Sequence, residues 1–255
     1  MDRRRFLAGV AAAGVAGLAG CGTASGTVRP PELPQQRLEE GGWERTAANT
    51  EEVFSRTVAG TDVSATAVSR VFDDAALRAD VSDKTLDAVD GALSNFFAAR
   101  IAFTPNLADV PVESAREELA ARAAGLASEQ FTAQLESAGL TDVSASEAGT
   151  ISVETGEEAS LTEYSAAFEF ESFSFDVRGD TLQIEGGSID VGGKLATWVH
   201  DGGLFLSGGA YPAENFARSV EKELSEAITV SVDIDLGLEP EVYEEEVTGL
   251  LKRVE

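Results

Sequence analysis

Between residues 143 and 211 apolar and polar side chains alternate with period two. Short glycine-bearing groups interrupt the alternation: Thr155-Gly156-Glu157-Glu158, Arg178-Gly179-Asp180, Glu185-Gly186-Gly187 and His200-Asp201-Gly202-Gly203. Successive side chains of a strand point to opposite faces, so this spacing calls for strands, and turns this close together can join only antiparallel neighbours. A meander of antiparallel strands from about residue 143 to 211 is the frame to which every other segment must attach.

Two further strands, 53–58 and 63–72, flank the turn signal Ala59-Gly60-Thr61-Asp62, and the alternation of Phe97, Ala99, Ile101 and Phe103 predicts another that ends at Pro105. Near-3.6 spacing predicts a helix capped by Ser82 with Leu86, Val89, Leu93 and Phe96 on one side. A longer one after Pro111 carries Ala115, Leu119, Ala123, Leu126, Gln130 and Leu135, with Gly139 placed to end it and Leu140 to pack back. Phe216, Val220, Leu224 and Ile228 suggest a third helix over 213–228. Val230, Val232, Ile234 and Leu236 then alternate, and Pro240 opens a terminal helix running to Arg253. Helices segregated from an antiparallel sheet define an α+β fold with helices packed on the sheet. Apolar residues make up 43% of the chain, which excludes acidic disorder and leaves one α+β domain over residues 42–255.

The first residues obey a different logic. Arg3, Arg4 and Arg5 precede an uncharged stretch, residues 6–20, that is shorter than the roughly 20 residues a membrane-spanning helix needs. This is the layout of a signal peptide. Arg3, Arg4, Phe6 and Leu7 resemble the twin-arginine export motif, although Asp2 and Ala8 depart from the residues usual on its two sides. Leu18, Ala19, Gly20 and Cys21 are similar to a lipobox, and Cys21 is the chain's single cysteine. The resemblance implies that residues 1–20 are removed, that Cys21 carries a diacylglyceryl-type lipid, and that the protein sits on the outer face of the cytoplasmic membrane. Residues 21–41 then read as a flexible tether, with Arg29-Pro30-Pro31-Glu32-Leu33-Pro34 at its centre.

The chain has 19 basic and 45 acidic residues. Without residues 1–20, which hold three arginines and Asp2, 16 face 44, a formal charge of −28. Such a surface repels phosphate, so nucleic acid is excluded as a partner. Spread acidity with only four lysines, Lys84, Lys194, Lys222 and Lys252, points to molar salt, where the Debye length is about 3 Å. Together with the export motif, the layout resembles haloarchaeal surface lipoproteins of unknown function.

Catalytic triads, zinc sites, copper centres and haem attachment consume histidines or cysteines, and His200 and Cys21 are the only ones here. No cofactor or metal is therefore expected. Three weaker groups remain. His200-Asp201-Gly202-Gly203 reads as a hairpin turn. Ser207-Gly208-Gly209-Ala210-Tyr211-Pro212 reads as a strand-to-helix connection whose free N–H groups could receive an anion. Asp233, Asp235, Glu239 and Glu241 could offer oxygens to calcium but lack the EF-hand order. The sheet end carrying Trp198, His200 and Tyr211 is the candidate ligand site, because it combines aromatic area with the lone imidazole. The leading functional reading is a non-catalytic, membrane-anchored module that binds a protein or small ligand. A carboxylate-dependent cell-surface hydrolase and the solute-binding lipoprotein of a transporter are the alternatives. Replacing Arg3 and Arg4 together by Lys should block export, measured as loss of surface-accessible protein; an undiminished surface signal would refute the twin-arginine route.

Overall fold

The computed structural model describes residues 28–58, 61–85, 89, 91–110, 112–177, 180–225 and 228–255. Its centre is a seven-stranded antiparallel sheet formed by β1 (Trp43–Val58), β2 (Thr61–Asp74), β3 (Asn95–Thr104), β4 (Leu140–Ser152), β5 (Glu158–Phe170), β8 (Gly187–His200) and β9 (Gly203–Pro212). The spatial order is β1-β2-β3-β9-β8-β5-β4. Between β5 and β8 the chain leaves the sheet as a small ribbon, β6 (Phe173–Val177) paired with β7 (Asp180–Ile184), and β5 pairs directly with β8. The expected meander is thus present with one excursion, and the fold is α+β.

Helices cover both faces, so the middle strands are buried on both sides. α3 (Glu113–Ser137) lays Leu119, Phe131 and Leu135 against Ile101, Leu195 and Leu206. α4 (Pro240–Leu251) lays Val247, Leu250 and Leu251 against Phe96, Phe205 and Tyr211 on the other face. All ten residues of β9 are buried, which is why its sequence is a nearly continuous apolar run instead of an alternation. Gly139, at φ +88°, turns the chain away from the end of α3, and Leu140 packs back on that side of the core, as the sequence predicts. Gln130 is exposed, and the neighbouring Phe131 fills the position expected of it.

Three expectations are overturned. The helix near Ser82 is instead α2 (Ala75–Lys84), started by the Asp74 side chain, which accepts from Leu77 N at 2.8 Å, so Ser82 falls in its last turn. Phe96 belongs to β3, and Leu86 lies outside the described residues. The helix over 213–228 is instead a ribbon of β10 (Ala217–Ser225) and β11 (Ile228–Asp235). A spacing of four fits one helix face and also, being even, one face of a strand, so Phe216, Val220, Leu224 and Ile228 could not separate the two. Ser207 to Pro212 lie inside β9 and lead to this ribbon, not to a helix. Gly208 and Gly209 pair with Phe97 and Phe96 in the ladder, which removes the anion cradle.

The last residues expected in the tether make contacts with the domain. Residues 31–41 are docked on the domain: Glu32 and Glu255 exchange backbone hydrogen bonds, and α1 (Gln35–Glu40) buries Leu38 beside Trp43. Leu33 and Leu38 supply the apolar contacts that a proline-rich reading overlooks. Contacts with the domain are therefore made by described residues before 42 as well.

A methyl group at Gly209 would fall 2.2 Å from the Asn95 carbonyl oxygen, a backbone atom held in the ladder. One at Gly125, in α3, would meet nothing within 4 Å. Gly209→Ala should therefore cost at least about 1–3 kcal/mol through overpacking, while Gly125→Ala gains about 0.5–1 kcal/mol in the helix. Denaturant unfolding of both variants measures the contrast, and equal midpoints would contradict this packing.

Candidate functional site

The β8–β9 hairpin closes through Asp201 and Gly202, at φ +48° and +68°, the two left-handed residues of a type I′ turn. His200 therefore does sit at a hairpin turn. The turn is tied down, since Leu107 N donates to the Gly202 carbonyl at 3.2 Å and Asn106 Nδ2 to that of Asp201 at 3.3 Å. The β4–β5 turn reaches the same end of the sheet and places Glu157 Oε1 2.7 Å from His200 Nδ1. His200 Nε2 lies 3.6 Å from Asp201 Oδ2. The hydrogen bond to Glu157 orients the imidazole, with Asp201 lying near its other nitrogen.

Phe205 is the platform of this region. Trp198 stacks on it at 5.6 Å and 23°, His200 meets it edge-on at 5.9 Å, and the Arg100 guanidinium carbon lies 5.3 Å from its ring centre. Cross-strand register explains the gathering, because Arg100 and Trp198 both stand opposite Phe205, on β3 and β8. Four buried polar atoms have no hydrogen-bond partner among the described residues: Arg100 Nε and Trp198 Nε1 beside Phe205, and Thr155 Oγ1 and Glu157 Oε2 on the His200 side. The Thr155 hydroxyl beside it and then His200 hold the Glu157 carboxyl below the usual glutamate range, although Thr155 Oγ1 reaches hydrogen-bond geometry with none of these neighbours. Two N–H donors, one hydroxyl and one carboxylate oxygen left unpaired around aromatic rings are groups that a polar ligand can satisfy.

The predicted trio of Trp198, His200 and Tyr211 is divided by this register. Trp198 and His200 share the site, but Tyr211 pairs with Gly192, six residues along β8 from Trp198, or about 20 Å. The Tyr211 ring lies so close to Gly192 that a Cβ there would fall 2.7 Å from it. Burial, then the charges of Glu244 and Glu163, push the Tyr211 phenol well above its ordinary pKa. Tyr211 therefore belongs to the surroundings of Lys194, a buried lysine that donates to Glu244 at 2.6 Å and Thr248 Oγ1 at 3.3 Å, with Glu163 at 3.8 Å. Lys194 lines an open groove of about 650 Å³ together with Arg37, Glu241, Glu244, Lys252 and Arg253. Charges of both signs line the groove, and the buried ammonium already donates two hydrogen bonds and stands beside Glu163.

In the acidic group considered for calcium, Asp235 accepts from Asn215 Nδ2 at 2.8 Å and Gly237 N at 2.9 Å, bonds that lower its pKa while closing a turn. Among the described residues no three His, Cys, Asp or Glu side chains converge as metal ligands. Arg3, Arg4, Phe6, Leu7, Leu18, Ala19, Gly20 and Cys21 lie outside the described residues. Arg100, Thr155, Glu157 and Phe205 escaped the sequence reading. The one available signal was an arginine at position 100 within an otherwise apolar strand.

A family model described as Domain of unknown function (DUF6517) matches residues 30–255. No curated protein and no solved structure matches the chain.

Trp198 is 4% exposed, a core position despite its place in the site. Trp198→Ala should lose about 3–5 kcal/mol, and His200→Ala, at the exposed end of the hairpin, less than about 1 kcal/mol. Denaturant unfolding of both variants checks this, and a Trp198→Ala domain of undiminished stability would contradict the stacked arrangement.

Proposed function

We propose, from the premise that the chain belongs to the domain-of-unknown-function family whose model it matches, that it is a lipid-anchored extracellular binding domain adapted to high salt. The sheet end around Phe205 is its ligand site. One observation carries the binding reading: the four buried polar atoms without partners among the described residues gather at one end of the sheet, two on Phe205's direct neighbours Arg100 and Trp198 and two beside His200. An unpaired buried donor or acceptor costs about 1–3 kcal/mol, and four together make a surface ready to exchange that cost for ligand contacts. The position also suits capture. Its residues come from three separate strands and a turn, held by ladder hydrogen bonds, so the groups are oriented before a ligand arrives.

The anchoring part of this proposal rests on Arg3, Arg4, Phe6, Leu7 and the sequence from Leu18 to Cys21, and the high-salt part on the formal charge of −28 after residue 20. Such a chain resembles haloarchaeal surface lipoproteins. A transporter's solute receptor is less well supported, because one sheet with helices on both faces does not supply two lobes around a cleft.

Cys21→Ala protein should move from the membrane fraction to the medium, followed by immunoblot of fractionated cells; a variant that remains with the membrane would overturn the anchor. Separately, ligand entry beside Trp198 should change its fluorescence, and a purified chain whose emission responds to no amino acid, sugar or organic acid would overturn the site.

A further inference from the structure

On the α4 side of the sheet, the core ends before the sheet does. α4 packs on β9, β3 and β8, and Phe72 on β2 and Phe96 and Ala98 on β3 are buried on that face. Period two then carries the same face onward to Arg70 on β2 and Arg100 on β3, and from Trp43 to Arg45 on β1. The register makes these three arginines consecutive diagonal neighbours. Arg45 stands opposite Phe72, Ala48 opposite Arg70, Arg70 opposite Ala98 and Val68 opposite Arg100. Diagonal positions lie about 7–8 Å apart, within reach of long side chains. Arg70 and Arg100 are half-buried and Arg45 is exposed.

Among the described residues, no carboxylate lies within ion-pair distance of any of the three; other surface cations, such as Arg116 and Arg122, are unpaired too, but these three are neighbours on one sheet face. Of the carboxylates on this face of β1 and β2, Asp74 caps α2, Asp62 accepts from Thr57, and Glu52 stands four residues along β1 from Ala48; Glu157 lies on the other side of Phe205, bonded to His200. In a chain with 44 acidic and 16 basic residues after residue 20, three adjacent unpaired cations run against the composition and repel one another. Arg100 is also held in place, lying over Phe205 with its Nε shielded from solvent and unbonded.

We propose that the ligand of the Phe205 site is a small polyanion whose carboxylate or phosphate groups are held by the arginine diagonal of Arg100, Arg70 and Arg45. The planar guanidinium suits this chemistry because two parallel N–H donors match two oxygens of one acidic group, and such bonds survive molar salt better than long-range attraction does. This assignment rests on the Phe205 reading and adds the ligand's class.

The test titrates the purified full chain with citrate and, separately, inorganic pyrophosphate at constant molar KCl, observing arginine Nε–H resonances. Saturable shifts of Arg100 and Arg70 are expected, with binding weakened about tenfold or more by Arg70→Gln or Arg100→Gln and unchanged by Arg56→Gln. Response to only one of the two probes decides between carboxylate and phosphate. Absence of saturation with both, or equal weakening by Arg56→Gln, overturns the proposal. Binding of a neutral solute, seen in Trp198 emission and indifferent to Arg70→Gln, would overturn the anionic class while leaving the site intact. Self-association in sedimentation that disappears in Arg70→Gln, without any citrate or pyrophosphate shift, would assign the face to a second copy of this chain instead.

Discussion

The pairing of β8 with β9 is the interaction on which the rest of the domain depends. Every residue of β9 is buried, so neither face of this strand can be left to solvent, and each must be covered by a helix. That requirement places α3 over one face and α4 over the other. It also explains the two glycines in mid-strand. Gly209 lies under Val247 of α4 and against the Asn95 carbonyl, and Gly208 faces Phe97 and the Lys194 carbonyl, contacts that leave no room for a side chain. The close approach costs strand propensity at both positions, and the burial of Phe96, Leu250 and Leu251 nearby offsets it.

Acidity shapes what lies outside this centre. Acidic residues far outnumber cations, and several of the described cations have a defined structural setting. Lys194 is buried and bonded to Glu244 and Thr248, and Lys84 joins α2 to the Leu236 carbonyl while pairing with Asp80. Arg253 bonds Gly249 and Glu154, tying the end of the chain to the β4–β5 turn that carries Glu157. The same turn is held to the C-terminus through Glu154 N and the Lys252 carbonyl. The position of Glu157 beside His200 is thus maintained from outside the sheet as well as within it. What sets Arg45, Arg70 and Arg100 apart is their adjacency across β1 to β3, where no carboxylate among the described residues pairs with them.

The division between what was legible and what was not follows the range of the interactions concerned. Strand periodicity, the Gly139 stop and the Pro240 start act over a few residues, and the corresponding elements stand where those signals place them. The Ser82 cap failed because Asp74, eight residues earlier, offered a carboxylate at the correct distance from Leu77 N and started the helix first. The 213–228 segment failed because an apolar spacing of four does not distinguish a helix from a strand, and pairing with 228–235 decided for the strand. Docking of residues 31–41 was hidden because Glu32 bonds Glu255 at the other end of the chain, and Leu38 packs in a cluster drawn from several elements.

By itself the sequence determined the antiparallel frame, the α+β class and the excess of acid, since turn chemistry, side-chain alternation and charge are properties of neighbouring residues or of the whole count. It also marked Trp198 and His200. Only the tertiary structure decided that Glu157 meets His200 across 43 residues of chain, that Arg100 and Trp198 flank Phe205, and that Tyr211 stands apart at the far end of β8. Those meetings depend on strand register. Register is set by how the two buried faces fill against α3 and α4, and no local pattern carries that information.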